Sequence, residues 1–179
     1  YKENRLAELA NEQNLQTSCL QLGFYLASWG MLRGSSFLLE KSIRNFTDLI
    51  VVISESNPEL WRIDVDNYND ENISLLLVCK QRLISALGQE NEPSDTLITK
   101  IMLGVFANVP AFDQYFRRSL KVHTFNKRSL LKIKEFYHEN KDDFDSFKIY
   151  TFDFFTAEET AIVYTKAKLI DMCGFMRGR

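Results

Sequence analysis

The sequence predicts an all-α protein, a single compact multi-helix domain, and three observations favour this fold class. Apolar residues recur at helical spacing along most of the chain. Glycine and proline occur only seven and three times in 179 residues, so tight turns should be few. Hydrophobic residues make up 45% and charged residues 26%, as expected for a globular domain that buries a core. We expect one helical domain over residues 1–179, with residues 1–13 as a mobile N-terminal segment.

The first half of the chain predicts three helical segments. Gly30 and Gly34 bracket a short break after the first of them, and Ser35 or Ser36 can cap the second because a hydroxyl accepts from exposed first-turn amides. The second segment either continues or restarts before it ends at Asn57-Pro58, since the residue before proline leaves the helical region. The predicted ranges are 14–29, 37–53 and 73–87, the last closed by Gly88.

The second half predicts a central helix followed by shorter ones. Ser94 or Asp95 caps the helix over Thr96–Ala107, which is apolar on most sides and therefore expected to be buried. A short helix follows Pro110, and a further one covers residues 127–138. Thr156 with Glu159 has the spacing of a capping box, which predicts a last helix to Cys173. Residues 147–155 remain open between loop, short strand and helix.

Composition excludes several classes of function. The net charge of −2 gives no overall attraction to nucleic acid or to an anionic membrane. The three cysteines are far apart, which argues against a disulfide framework and favours a reducing compartment, with the cytoplasm as the default. No run reaches the ~18 apolar residues of a membrane span. His123 and His138 lack metal-pair spacing, so we expect neither a metal nor a cofactor.

The segment Val109–Leu120, VPAFDQYFRRSL, follows the apolar helix and places Asp113 between a proline and two arginines. It resembles the catalytic-aspartate segment of helix-hairpin-helix DNA glycosylases. Thr96 falls where those enzymes carry the threonine that starts the helix after the hairpin. The resemblance covers roughly residues 15–135 and implies a bacterial-type, glycosylase-like helical bundle.

The chain also departs from that family. The hairpin positions Gln89–Asp95, QENEPSD, contain no glycine and three acids, whereas the family's hairpin presents backbone amides to a DNA phosphate. Asp95 stands where bifunctional members carry a nucleophilic lysine, which excludes imine chemistry by that residue. The resemblance therefore implies, at most, a monofunctional N-glycosylase-like hydrolase.

Asp113 is the candidate catalytic residue. The resemblance implies that its carboxylate stabilises positive charge on the sugar or helps to activate water. Arg117, four residues on, shares its helix face and is expected to hold the carboxylate ionised. The alternative is that Asp113 is a helix cap and the Asp–Arg pair ordinary surface electrostatics.

A basic run follows Asp113 and predicts an interaction surface for nucleic acid or an acidic partner. Between Gln114 and Lys134 there are seven basic residues and no acid. The alternative is a solvated pair of helix faces balanced by the acidic stretch that follows. The predicted nucleic-acid-binding residues are Arg117, Arg118, Lys121, Lys127 and Arg128.

Trp29, Arg33, Ser35 and Lys100 are candidate pocket residues, with a core tryptophan, a serine cap and a surface-reaching lysine as the alternatives. Two main hypotheses follow. The first is a nucleic-acid-binding protein resembling a degenerate DNA glycosylase, with base excision as its chemistry. The second is a non-enzymatic module that binds a protein partner or forms a homodimer through aromatic-rich helices. A small-molecule pocket in the aromatic core is a third reading.

Overall fold

A computed structural model describes residues 6–34, 36–88 and 93–179. The fold is mainly helical, as predicted, with one two-stranded antiparallel sheet. Short 3-10 turns lie at Leu6–Ala10, Phe37–Glu40, Ile43–Phe46, Pro58–Trp61 and Val65–Asn67. The helices are α1 (Leu15–Ser28), α2 (Thr47–Ser54), α3 (Asp70–Leu87), α4 (Asp95–Val105), α5 (Gln114–Leu120), α6 (Lys127–Glu139), α7 (Lys141–Ser146) and α8 (Lys166–Gly178), and the strands are β1 (Tyr150–Phe152) and β2 (Glu159–Val163).

Helix α4 lies at the centre, which confirms the prediction from its apolar faces. Seven consecutive residues, Leu97–Leu103, are buried, including Thr99 and Lys100. Ser94 caps this helix by accepting a hydrogen bond from Leu97 N at 3.2 Å. The side chains of Leu26, Leu49, Leu76 and Phe112 join it in one continuous core.

Residues expected to be a mobile N-terminal segment are partly packed. The 3-10 turn at residues 6–10 lies against α2, and Leu9 and Ala10 contact the core. Residues 1–5 lie outside the described part of the chain.

The prediction of a last helix from Thr156 to Cys173 is wrong over its first half. Residues 159–163 form β2, which pairs with β1, and α8 begins only at Lys166 with Thr165 as its cap. Thr156 lies instead in the turn between the strands, and Glu159 is the first residue of β2. The β-branched and aromatic content of Thr160–Tyr164 favours a strand over a helix.

Within the described part of the chain, the helices are too short or too polar to span a membrane. The free cysteines Cys19, Cys79 and Cys173 form no disulfide.

Candidate functional site

A pocket of about 450 Å³ opens where the end of α1 meets the start of α5 and the last turns of α8. This volume falls within the ~300–1,000 Å³ of most ligand sites. We call it the Asp113 pocket. Its walls are Ala27, Ser28, Trp29, Gly30, Arg33, Lys100, Asp113, Gln114, Tyr115 and Phe175. Four residues selected from the sequence, Trp29, Arg33, Lys100 and Asp113, thus line one cavity, whereas Ser35 lies outside the described residues.

Asp113 is both a helix cap and a wall of this pocket. It is the N-cap of α5, and its Oδ1 accepts a hydrogen bond from Phe116 N at 2.9 Å. The side chain is half-buried. No described residue donates to Oδ2, so that one oxygen holds the helix and the other is free for a ligand.

Lys100 is buried in α4 and does not reach the surface as a lone exposed cation. Its Nζ donates to the carbonyl oxygen of Trp29 at 2.9 Å and lies 5.2 Å from the centroid of the Trp29 ring. Burial lowers the pKa of this ammonium, while the nearby carboxylates of Asp113 and Asp171 oppose the change. Lys100 therefore fixes the end of α1 and places positive charge in the pocket wall.

Asp171 on α8 is a charged residue of this region that sequence reasoning missed. Its carboxylate is buried, accepts a hydrogen bond from Ala111 N at 2.9 Å, and lies 3.7 Å from the Nζ of Lys168. Burial raises the pKa of Asp171 to about 6, with a further raising effect from Asp113. An acid and a lysine three residues apart were visible in the sequence, but helix spacing alone does not show that the acid is buried.

A second cation, from α8, lies against Trp29. The Nζ of Lys168 lies 4.7 Å from the Trp29 ring centroid, so two ammonium groups lie within cation–π distance of one indole. Tyr115 and Phe175 pack edge to face at the other side of the pocket, with their centroids 5.0 Å apart. The pocket thus combines aromatic faces with charges of both signs, which suits a ligand that has an aromatic ring and an anionic group.

Arg117 does not pair with Asp113, which corrects the expected ion pair. Its Nη2 donates to Thr96 Oγ1 at 3.3 Å, and its buried Nε has no hydrogen-bond partner among the described residues. Lys127 is also engaged, since its Nζ lies 2.9 Å from the carboxylate of Asp70. These two members of the predicted nucleic-acid-binding set therefore have partners within the protein.

Asp95, the residue at the family's lysine position, has a structural role. It accepts a hydrogen bond from Phe125 N at 2.6 Å and forms an ion pair of 2.7 Å with Lys80. These contacts join the start of α4 to α3 and to the segment before α6. The hairpin positions 89–92 lie outside the described residues.

The other predicted basic residues, Arg118, Lys121 and Arg128, are exposed, and Nη2 of Arg118 donates to the carbonyl oxygen of Arg179 at 3.0 Å. The guanidinium of Arg118 lies 5.8 Å from the ring centroid of Tyr115, a pocket residue. Lys121 follows one helical turn later, and its carbonyl oxygen accepts from Lys132 Nζ at 3.1 Å. Arg128 lies one turn before Lys132 on α6. We call Arg118, Lys121, Lys132 and Arg128 the basic track.

No cluster of three or more metal-binding side chains occurs among residues 6–34, 36–88 and 93–179. Comparison with known proteins places the chain in no group: no family model, no curated protein and no solved structure matches it. The residues of the Asp113 pocket and the basic track are therefore the basis for a functional proposal.

Proposed function

We propose that this protein binds nucleic acid and holds one unstacked nucleotide in the Asp113 pocket. The observation that carries the proposal is that Trp29, Arg33, Lys100 and Asp113 line one cavity at the beginning of the basic track. Aromatic faces bind extruded bases by stacking, and exposed cations bind phosphates irrespective of sequence. The resemblance of Val109–Leu120 further supports the proposal that the fold is a bundle of the helix-hairpin-helix glycosylase type.

The chemistry proposed for the pocket is hydrolytic base excision. As the bond between base and sugar breaks, positive charge develops on the sugar, and a carboxylate beside it lowers the barrier. Asp113 offers the free Oδ2 for this role, because only Oδ1 is used to cap α5. Asp95 stands at the position of the family's amine nucleophile and cannot form an imine, so the proposed activity stops at base removal.

Binding is tested with fluorescently labelled single-stranded DNA by anisotropy. Arg33→Glu should weaken binding by at least ~10-fold, since it introduces repulsion at the pocket wall. Arg44→Glu is the matched control, because Arg44 is exposed on the 3-10 turn at residues 43–46 and lines none of the pocket. Equal weakening by both variants, or no binding by the wild type, would contradict the binding proposal.

Catalysis is tested separately with Asp113→Asn. Asparagine is as good an N-cap as aspartate, so α5 should keep its start and the fold its stability. We expect DNA binding to be retained and release of damaged or mismatched bases to fall by about 10²-fold. Equal base release by the wild type and the variant would remove the chemical role and leave binding alone.

A second candidate function is a non-enzymatic protein-interaction module, and one observation favours it. Phe154 and Phe155, at the turn between β1 and β2, are 91% and 92% exposed. Exposed aromatic residues at a projecting turn are typical anchors of protein interfaces.

A further inference from the structure

The turn between β1 and β2, residues 153–158, is here called the hairpin tip, and it is ordered by its own hydrogen bonds. One carboxylate oxygen of Asp153 accepts from the backbone N–H groups of Phe155 and Thr156, each at 2.9 Å. Asp153 N donates to Glu158 O at 2.9 Å, and Ala157 N donates to Asp153 O at 3.0 Å. The rings of Phe154 and Phe155 pack edge to face, with their centroids 5.3 Å apart. The tip therefore displays a paired aromatic knob that is organised before it meets a partner.

The same chain carries an apolar pocket at the base of this hairpin. The pocket has a volume of about 340 Å³ and lies between α6, α7 and α8. Phe136, Phe144, Phe147, Leu169 and Met172 are among its lining residues. Ile149, which also lines it, directly precedes the first residue of β1.

The hairpin tip does not fill the pocket of its own chain. Phe154 lies five positions after Ile149, which corresponds to about 16 Å along an extended strand. Both tip phenylalanines remain more than nine-tenths exposed. Knob and pocket are thus separate features of one surface, displaced from each other by the length of the hairpin.

The charges around the two features are complementary. Glu158, the last residue of the tip, and Glu159, the first residue of β2, form no ion pair with any described residue. Arg177 lines the apolar pocket, and its guanidinium lies 5.4 Å from the ring centroid of Phe136, also without an ion pair among the described residues. Asp143 also lines this pocket, so the glutamates of a docked tip should lie towards Arg177 and away from Asp143.

We propose that two copies of this chain form a symmetric dimer by reciprocal insertion, with the Phe154–Phe155 knob of each protomer seated in the apolar pocket of the other. A two-fold axis makes this exchange closed, because every knob then finds a pocket and no further copy can add. Arg177 of each pocket meets the glutamates of the incoming tip. This interface goes beyond nucleic-acid binding, since the Asp113 pocket uses other residues of α8.

The two knobs supply a large part of the area that a stable dimer buries. An aromatic side chain buries about 150–250 Å², so two phenylalanines from each of two protomers contribute roughly 600–1,000 Å². Stable interfaces bury about 1,200–2,000 Å² in total. Phe147 and Phe152, both exposed beside the knob and the pocket, are available for the remainder.

Sedimentation-velocity ultracentrifugation of the full chain over a range of concentrations tests the knob. We expect the wild type to dimerise and the double variant Phe154→Ala, Phe155→Ala to remain monomeric. Phe24→Ala is the control, because Phe24 is 80% exposed on α1 and lines neither feature. A wild type that stays monomeric at every concentration, or a double variant that dimerises like the wild type, overturns the proposal.

The pocket side is tested on α8 with a matched pair. Met172→Asp places a charge in the pocket wall and should abolish dimerisation, whereas Met176→Asp on the same helix lies outside the pocket and should not. Arg177→Glu should weaken the dimer, and adding Glu158→Lys with Glu159→Lys should restore it. Recovery of the dimer by the reversed charges is a result that simple misfolding cannot produce. If the reversed charges do not restore the dimer and Met172→Asp still dimerises, reciprocal insertion is contradicted. Oligonucleotide binding measured on the same variants reports separately on the Asp113 pocket.

Discussion

Lys100, Asp113 and Asp171 form a small set of charges whose positions explain one another. Lys100 holds the carbonyl of Trp29, Asp113 holds the start of α5, and Asp171 holds the backbone N–H of Ala111 between them. Lys100 and Asp113 thus perform structural tasks that also fix walls of the Asp113 pocket, and Asp171 holds the backbone two residues before Asp113. Burying charges costs free energy unless partners are present, and here the opposite charges lie within the same set.

The buried carboxylate of Asp171 predicts a measurable pH dependence of stability. Because burial raises its folded-state pKa to about 6, the folded protein binds this proton more tightly than the unfolded chain does. The stabilisation is complete below about pH 4, the pKa of an unfolded aspartate, and is lost as the pH rises through about 6. Over this range the loss is of order 2–3 kcal/mol, because a tenfold difference in proton affinity corresponds to about 1.4 kcal/mol.

Asp171→Asn, which can still accept from Ala111 N, should remove this dependence. Urea unfolding at about pH 4 and about pH 7 should show the variant gaining stability relative to the wild type as the pH rises. Lys168→Gln is a useful comparison, because it removes the nearby cation and leaves the buried acid in place. A constant difference between wild type and Asp171→Asn at both pH values would show that Asp171 titrates normally.

Helix α8 is the element that organises the C-terminal half of the protein. One side packs on α5, where Gly174 lies against the buried ring of Phe116. Phe175 contributes to the Asp113 pocket, and Met172 with Arg177 contributes to the apolar pocket. The same helix thus separates two cavities of different character.

Gly174→Ala tests the packing of α8 on α5. An added Cβ would lie 2.5 Å from Cδ2 of Phe116 and 3.2 Å from Cδ1 of Leu120. Alanine is favoured over glycine by about 1 kcal/mol within a helix, but overpacking of a buried ring costs about 1–3 kcal/mol. We expect a net loss in chemical unfolding, with Met176→Ala on the exposed face within about 0.5 kcal/mol of the wild type. A variant more stable than the wild type would show that α5 and α8 pack less closely than described.

At the scale of the whole molecule, the basic track begins beside the Asp113 pocket, although the net charge of the chain is −2. Clustering of positive charge, rather than its total, is what a nucleic-acid backbone meets. Arg118 joins the two parts because it stacks on Tyr115 at the pocket wall and begins the track.

The track predicts a salt dependence of oligonucleotide binding. Removing one cation that binds a phosphate should reduce the slope of log affinity against log salt by about 0.7 for a single strand. The double variant Arg118→Gln, Lys121→Gln should therefore bind with a slope lower by about 1.4. The control pair Arg44→Gln, Lys148→Gln removes equal charge from outside the track and should leave the slope unchanged. Equal changes in both pairs would point to general charge attraction rather than to a track.

Periodic apolar spacing was enough to predict the helical fold class and the central position of α4, and the link from Pro110 to Asp113 was enough to select Asp113. Long-range partners were not predictable. Arg117 donates to Thr96, and Lys127 forms an ion pair with Asp70. Tertiary packing, and not helix spacing, decides which group lies within reach of each side chain. Strand β2 was not predicted because Thr156 and Glu159 fit a capping pattern locally. Its pairing with β1, residues 150–152, depends on a contact that this local pattern does not contain.

Occupancy of the pocket itself can be followed through Trp29. The chain has two tryptophans, and replacing Trp61 by Phe leaves Trp29, which lines the pocket, as the only tryptophan of the sequence. Titration of this variant with a single-stranded oligonucleotide should change the Trp29 emission saturably, at the same concentrations at which anisotropy reports binding. Binding detected by anisotropy with no change in Trp29 emission would show that nucleic acid is held elsewhere, and would contradict the assignment of the Asp113 pocket as the nucleotide site.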